Sequence, residues 1–264
     1  MLQLLPYQIN HSKDIIRPLT SLNRAALDAS DAGTGKTYVS CYTVAYIGCP
    51  CVIVTNKATK PSWEKVSAGF GLKPILITNY ESLRRGKFPE CRKSGKGFIW
   101  NLPQDTTIIF DECQRCKSRT SLNAKLLIAA RAQHYRLILC SATAANSPLE
   151  MYALGYALGL HQLWNFWTWA RRNGVTQGFF GMEFTGGKEA LHQSLNRCGE
   201  INQEHHALPL FQCRSGHFYH GRNLVELDGL AGAEDERQVT GSLGAQFIGH
   251  GLQLLPVAGM LCET

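Results

Sequence analysis

The segment SDAGTGKT, residues 30–37, constrains the fold of this chain more than any other stretch. Glycines at 33 and 35 let backbone N–H groups approach an anion closely, and the dipole of a helix starting here points at the same place. Lys36 adds a positive charge and Thr37 adds a hydroxyl group. Because the apolar run AALDA precedes the segment and YVSCYTVAYI follows it, the pattern predicts a strand, a phosphate-binding loop and a helix in that order.

Five short apolar runs recur in the first part of the chain, with helical or irregular stretches between them. The runs are residues 25–27, 51–54, 75–77, 107–110 and 137–139. Polar or glycine-containing turns follow each run, as is typical of buried parallel strands joined by crossover helices. The pattern predicts an α/β fold with a mostly parallel sheet flanked by helices.

Two adjacent carboxylates end the fourth run, in the sequence TTIIFDECQRCKS. Asp111 is placed to hold Mg²⁺, directly or through water, and Glu112 to act as the general base toward an attacking water. An acidic turn that merely closes a strand would look the same. The phosphate-binding loop upstream favours the nucleotide-binding interpretation.

Four motifs, PYQ, AGTGKT, DECQ and SAT, occur in an order and spacing that resembles the superfamily 2 helicases. ITNYESLR, residues 77–84, and LILCSATAANSPLEMYAL resemble the Swi/Snf-type and phage-type branch. The resemblance covers about residues 4–190 and implies a RecA-like P-loop NTPase lobe that binds ATP and Mg²⁺. Ser30 stands where the strict loop pattern has glycine, a position that helicases commonly relax.

The resemblance also implies roles for individual residues. The catalytic residues would be Lys36, Asp111, Glu112 and Gln114, and the ATP-binding residues Gln8, Gly33, Thr34, Gly35, Lys36 and Thr37. Thr37 and Asp111 would hold the magnesium ion, and Tyr7 would flank the adenine that Gln8 reads. The nearest branch usually has histidine at the position of Gln114, and glutamine keeps a hydrogen-bonding side chain there.

Loops at the strand ends would contact the phosphates and sugars of a nucleic acid. The candidate contacts are Thr55, Asn56, Lys57, Thr78, Tyr80 and Arg84, with Arg85 beside the last. Ser141, Ala142 and Thr143 would couple nucleotide state to this face, with the two hydroxyl groups as partners of Gln114. Capping of the turn after Cys140 is an alternative role for the same hydroxyl groups.

Charge divides the chain into two parts. Residues 1–188 hold 23 Lys and Arg against 11 Asp and Glu, whereas residues 189–264 hold 4 against 9 and no lysine. A basic first part favours a polyanion, although a solvated basic surface would look alike. The sequence has no long apolar span and no leader pattern, which predicts a cytoplasmic protein.

Cysteines and aromatic residues receive structural interpretations. Cys113 and Cys116, with Cys213, His217 and His220 in the tail, lack the usual spacing of zinc ligands, so structural cysteines are favoured. The aromatic stretch LWNFWTWARR is interpreted as a helix packed on the sheet, with base stacking as the alternative.

The predicted domains are a helicase ATP-binding domain over residues 1–190 and an atypical tail over 191–264 that is disordered or outside the family. We find no sequence like a second RecA-like lobe, so either another chain supplies it or it has been lost. We expect weak ATP binding and slow hydrolysis without it. The interpretation is an ATP-dependent helicase or translocase lobe, with DNA favoured over RNA. A non-catalytic module that binds nucleic acid or a partner, and an unrelated P-loop ATPase, are the alternatives.

Overall fold

The structure is a computed structural model and describes residues 2–179 and 181–186. Helices are numbered in chain order: α1 Pro6–Thr20, α2 Lys36–Ile47, α3 Lys60–Gly69, α4 Tyr80–Arg84, α5 Leu122–Ala132, α6 Tyr152–Ala157 and α7 Phe166–Arg172. The strands are β1 Ala25–Asp28, β2 Cys51–Thr55, β3 Leu76–Asn79, β4 Lys87–Phe88, β5 Cys91–Ser94, β6 Gly97–Trp100, β7 Thr107–Asp111, β8 Arg136–Cys140, β9 Val175–Gly178 and β10 Gly181–Phe184. The tail predicted over 191–264 lies outside the described residues, and the boundary at 190 stays a prediction.

The five predicted apolar runs form one parallel sheet in the order β1-β8-β7-β2-β3. All five strands point the same way, so the loops that follow them share one edge of the sheet. The phosphate-loop segment follows β1. Asp111 is the last residue of β7, and Glu112 is the first residue after it. The predicted α/β, RecA-like fold is confirmed.

Alternation along the strands separates two hydrophobic clusters, one on each face of the sheet. In β7, Ile108 and Phe110 belong to one cluster and Ile109 to the other. Residues of α1, α2 and α3 complete the cluster around Ile109, whereas residues of α4, α5 and α6 complete the cluster around Phe110. Both faces are therefore buried, which explains why the strands are apolar throughout rather than alternating.

A small antiparallel sheet, in the order β4-β5-β6, lies between α4 and β7 in the chain, and the sequence analysis did not predict it. Trp100 anchors it to α5, because its indole Nε1 donates to the Leu126 carbonyl oxygen at 3.0 Å. The Gln133 side chain adds bonds to the Trp100 backbone N–H and C=O, both at 2.8 Å. This sheet is thus fixed to the main domain by its last residue.

The aromatic stretch packs as a helix in part. Phe166 and Trp169 are buried and belong to the cluster around Phe110, which confirms the packing interpretation for these two. Trp164 is 85% exposed and Trp167 37% exposed, so they lie outside that core. Among the described residues, no helix is both long enough and apolar enough to span a bilayer.

We expect Trp100→Phe to lower the free energy of unfolding by about 1–3 kcal/mol, because phenylalanine fills most of the buried volume but cannot donate to Leu126. Urea denaturation measures the change. Trp164→Phe is the matched control and should shift stability by less than about 0.5 kcal/mol. Equal effects of the two substitutions would contradict the anchoring role of Trp100.

Candidate active site

The loop between β1 and α2 has the geometry of an anion cradle. Gly33 and Gly35 have φ angles of 83° and 89°, in the left-handed region that favours glycine. The backbone N–H groups of Gly33, Gly35, Lys36 and Thr37 donate to no other described residue. Four unpaired donors at a helix N-terminus are what a phosphate group requires. The loop therefore fits the triphosphate that the sequence analysis expected here.

Lys36 lies within this loop. Its Nζ donates to the carbonyl oxygens of Ser30 at 2.7 Å and Asp31 at 2.8 Å. These bonds fold the side chain back over the loop rather than out to solvent. The ammonium group is thus held beside the unpaired N–H groups, where it can bind a phosphate oxygen.

Gln8 contacts the loop directly, with both ends of its amide engaged. Oε1 accepts from the Leu5 backbone N–H at 3.0 Å, and Nε2 donates to the Thr34 carbonyl oxygen at 3.1 Å. A Cβ on Gly35 would collide with this amide. Tyr7 donates through its hydroxyl to the same Thr34 oxygen at 3.2 Å. Gln8 therefore positions the loop in this structure, and its reading of adenine stays a prediction.

A buried carboxylate that the sequence analysis missed holds the base of the loop. Asp28, the last residue of β1, is fully buried, and its Oδ1 accepts from the Ser30 backbone N–H at 3.1 Å and from the Ser30 hydroxyl at 2.6 Å. The Ser30 hydroxyl also lies 2.8 Å from the Thr34 hydroxyl. Ser30 thus uses its side chain where the strict pattern has glycine, and ties the two ends of the loop to β1.

His11 of α1 supplies the countercharge, with its Nε2 3.3 Å from Asp28 Oδ1. Burial favours the neutral imidazole, but contact with the Asp28 carboxylate outweighs it and raises the pKa of His11 above its usual 6.5. Burial likewise opposes ionisation of Asp28, but His11 and the two bonds from Ser30 hold the pKa of this carboxyl below its usual 3.8. In weakly acidic solution His11 is therefore positively charged and Asp28 negatively charged.

Asp111 ends β7 and is oriented by three neighbours. Its Oδ2 accepts from Thr55 Oγ1 at 2.5 Å and from the indole Nε1 of Trp63 at 2.8 Å, and its backbone oxygen accepts from the Tyr80 hydroxyl at 2.7 Å. Oδ1 accepts from no described residue. The Thr37 hydroxyl likewise bonds no described residue, so the oxygens expected to ligate magnesium are available on both.

Glu112 adopts a left-handed backbone conformation, with φ 53°, which is uncommon for a residue with a side chain. Its Oε2 accepts from Gln114 Nε2 at 2.6 Å. The turn thus directs Glu112 away from the strand path and Gln114 fixes its carboxylate. Gln114 is a positioning residue for the candidate base.

The register of the sheet brings the two halves of the site together. Asp28, Cys140 and Asp111 are neighbours across β1, β8 and β7, so the strand that carries the loop and the strand that carries Asp111 are about 10 Å apart. Burial, followed by the nearby charge of Asp28, raises the pKa of the Cys140 thiol, while the hydrogen bond with Ser40 opposes the shift. The loop after β1 and Asp111 therefore lie at the same carboxyl edge of the sheet, one strand apart on either side of β8.

Three of the predicted nucleic-acid contacts have buried side chains, and their nucleic-acid role stays a prediction. Tyr80 and Thr55 are fully buried and Thr78 is 4% exposed, so these side chains face the protein interior. Thr55 and Tyr80 instead bond Asp111, as described above. Asn56 is half-buried and Lys57 exposed after β2, and Arg84 is half-buried at the end of α4, so these three stay candidates.

The predicted coupling through Ser141 and Thr143 stays a prediction. Among the described residues Gln114 forms no hydrogen bond with either hydroxyl group: its Nε2 bonds Glu112, and its buried Oε1 has no partner. Ser141 Oγ instead accepts from the Thr143 backbone N–H at 3.0 Å, which is the local capping role. Ala142 is half-buried in this turn.

Glu150, which the sequence analysis did not single out, links the segment after DECQ to the loop after SAT. One carboxylate oxygen pairs with Lys117 at 2.9 Å, and the other accepts from the Asn146 backbone N–H at 2.8 Å. The segment after Glu112 and the loop after β8 are therefore joined through one carboxylate. Partial exposure makes this a modest interaction.

The cysteines in the described part of the chain are reduced. Cys113 and Cys116 are fully buried, and burial raises the pKa of Cys116 to about 12. No cluster of three potential metal-ligating side chains of His, Cys, Asp or Glu occurs among the described residues. Cys213, His217 and His220 lie outside those residues.

Comparison with known proteins supports a helicase family. No protein-family model matches the chain. The chain is 33% identical to a protein of Acanthamoeba polyphaga mimivirus named "Putative ATP-dependent RNA helicase", with 56% of this chain covered. The chain spans about a third of that relative's length, 32% of it. The superfamily 2 branch stays a prediction.

We expect His11→Gln to destabilise the protein more at about pH 6 than at about pH 8.5. Because the pKa of His11 is raised in the folded protein, this residue stabilises the fold fully below pH 6.5, and the stabilisation is lost as the pH rises through its pKa in the folded protein. Because the pKa of Asp28 is lowered, this residue stabilises the fold fully above pH 3.8, and the stabilisation is lost as the pH falls through its pKa in the folded protein. The difference between the two proteins should thus peak between about pH 4 and 6.5.

Urea denaturation at the two pH values measures this difference. His134→Asn is the control, because His134 is exposed, forms no ion pair with a described residue, and has a φ of 63° that asparagine tolerates. Its effect should not depend on pH in this way. A His11→Gln penalty that is the same at both pH values would show that the ion pair is not what His11 contributes.

Proposed function

We propose that this chain forms the ATP-binding lobe of an ATP-dependent nucleic-acid motor of the helicase type. One observation carries the proposal: unpaired N–H groups and Lys36 in the loop after β1 lie at the same sheet edge as Asp111 and Glu112. Cations and amide donors on one side and carboxylates on the other are the groups that a magnesium-bound triphosphate needs. The similarity to a protein named as a helicase agrees with it.

The residues divide the reaction among them. The loop N–H groups and Lys36 bind the β- and γ-phosphates and draw off negative charge. Thr37 and Asp111 would hold Mg²⁺, and the ion would neutralise charge on the phosphates. Glu112, fixed by Gln114, takes a proton from the attacking water. The water oxygen forms a bond to the γ-phosphorus, and the bond between the γ-phosphorus and the oxygen that bridges it to the β-phosphate breaks.

We further propose that a second RecA-like lobe completes the motor, as the resemblance implies. An arginine finger from such a lobe contributes on the order of 10³–10⁵ in rate. The lobe described here would therefore bind ATP and hydrolyse it slowly by itself. Whether RNA or DNA activates it is decided by assay with both, since the matched relative's name specifies RNA and the motif resemblance favours DNA.

We expect Glu112→Gln to lower the rate of ATP hydrolysis by about 10²–10⁴-fold while leaving ATP binding intact, because the amide keeps the shape but cannot accept the proton. Lys36→Ala should weaken ATP binding itself, because the charge inside the loop is removed. Phosphate release and binding of a fluorescent ATP analogue measure the two effects.

Glu64→Gln on α3 is the control, because this exposed carboxylate pairs only weakly with Lys60 at 3.7 Å. Each protein is assayed with no polymer, with single-stranded RNA and with single-stranded DNA. Hydrolysis by Glu112→Gln at the wild-type rate would reject the catalytic role and favour a non-catalytic binding module. Binding of neither polymer by the wild-type chain would reject the motor, and fast polymer-stimulated hydrolysis by this chain alone would reject the need for a second lobe.

A further inference from the structure

The small sheet β4-β5-β6 and the turn before it concentrate positive charge that the active site does not use. Residues 84–96 contain six Arg and Lys residues and one carboxylate, Glu90. Five of the six are exposed: Arg85, Lys87, Arg92, Lys93 and Lys96. None of these five forms an ion pair with a described residue, whereas Arg84 pairs with Glu81. The charge of this surface is therefore uncompensated within the described part of the chain.

The two faces of this sheet differ sharply. Cys91, Phe98 and Trp100 are buried on the inner face, which belongs to the main hydrophobic core. On the outer face Lys87 lies directly opposite Arg92, and Arg92 lies opposite Ile99, which is 50% exposed. Like charges directly opposite each other destabilise a strand pair. A partner that brings negative charge would relieve this repulsion.

The small sheet is connected to the main domain at both of its ends. Trp100 fixes its last strand to α5 through the bonds described above. At its other end α4 starts directly after β3, at the edge that carries the candidate site, and is about 8 Å long. Lys96 lies in the two-residue turn between β5 and β6, next to Gly95 with a φ of 54°. Helix α4 therefore leads from the sheet edge that carries the candidate site to the basic surface.

We propose that the outer face of this sheet, with Lys87, Arg92 and the turn residue Lys96, binds the phosphate backbone of a nucleic-acid strand. The inference rests on the proposed function, because the strand is the one on which the motor would act. Several separate cations along one exposed surface match a chain of regularly spaced phosphates. Contacts of this kind position the strand without reading its sequence.

The test is a triple substitution, Lys87→Gln, Arg92→Gln and Lys96→Gln, made in the full chain. Fluorescence anisotropy with labelled single-stranded RNA and DNA of about 20 nucleotides is measured over a series of salt concentrations. Three lost contacts should lower the slope of log affinity against log salt by about 2, since each phosphate contact on a single strand contributes about 0.7. The midpoint of thermal unfolding should not fall, because the repulsion between strands is removed.

The matched control is Lys13→Gln, Lys65→Gln and Lys73→Gln, which removes the same charge. These lysines are exposed, form no ion pair with a described residue, and lie on or just after α1 and α3, which pack on the opposite face of the main sheet. The control should change the slope much less. Lys96→Gln alone serves if the triple variant unfolds, with an expected change of about 0.7.

Equal losses in the two triple variants would overturn the proposal, because only net charge would then matter. Three other results would also overturn it. They are unchanged binding by the Lys87→Gln, Arg92→Gln, Lys96→Gln variant, absence of binding by the wild-type chain, and stronger binding of polyglutamate than of either nucleic acid. ATP hydrolysis without nucleic acid should be unaffected by the triple variant. If the triple variant binds nucleic acid more weakly but the wild-type chain never hydrolyses ATP, the proposed motor is rejected and the proposed nucleic-acid surface is still supported.

Discussion

The buried carboxylate of Asp28 is the interaction on which the candidate site depends. A charge without solvent must be compensated, and here His11 and both hydrogen-bonding groups of Ser30 compensate it. Since Ser30 is also bonded to Thr34, the same contacts set the shape of the loop. The conformation that leaves four N–H groups unpaired is thus held from beneath by one ion pair and three short polar contacts.

The parallel sheet extends this arrangement to the rest of the site. Its register places Asp28, Cys140 and Asp111 side by side, so the loop and the candidate metal ligand approach each other because the strands end at one edge. Thr55 and Trp63 then fix one oxygen of Asp111 and leave the other for a ligand. The ends of strands β1, β2 and β7 and residues of helices α1, α2 and α3 therefore hold the site in place.

Sequence reasoning predicted the five strands because each is a buried apolar run bounded by turns, and it found the loop because glycine, lysine and threonine at fixed spacing have few other uses. It did not predict that the side chains of Thr55, Thr78 and Tyr80 are buried, since position near a strand end does not tell which way a side chain points. Trp63 was missed because an apolar residue in a helix is usually core, and here its indole N–H bonds a carboxylate. The strands of the small sheet are two to four residues long, too short for a reliable alternation.

Helix α4 joins the candidate site to the basic sheet. At its first residue Tyr80 bonds the Asp111 backbone oxygen, and Arg115, from the turn after Glu112, lies 5.8 Å from the Tyr80 ring. Glu81 pairs with Arg115 at 2.8 Å, and the chain then runs through Arg84 into the basic sheet. The exposed ion pairs of Glu81 contribute little stability, whereas the hydrogen bond from the buried Tyr80 hydroxyl to the Asp111 backbone oxygen contributes more. Because α4 is only five residues long, the chain passes from the bond at Asp111 to the basic sheet within about two helical turns.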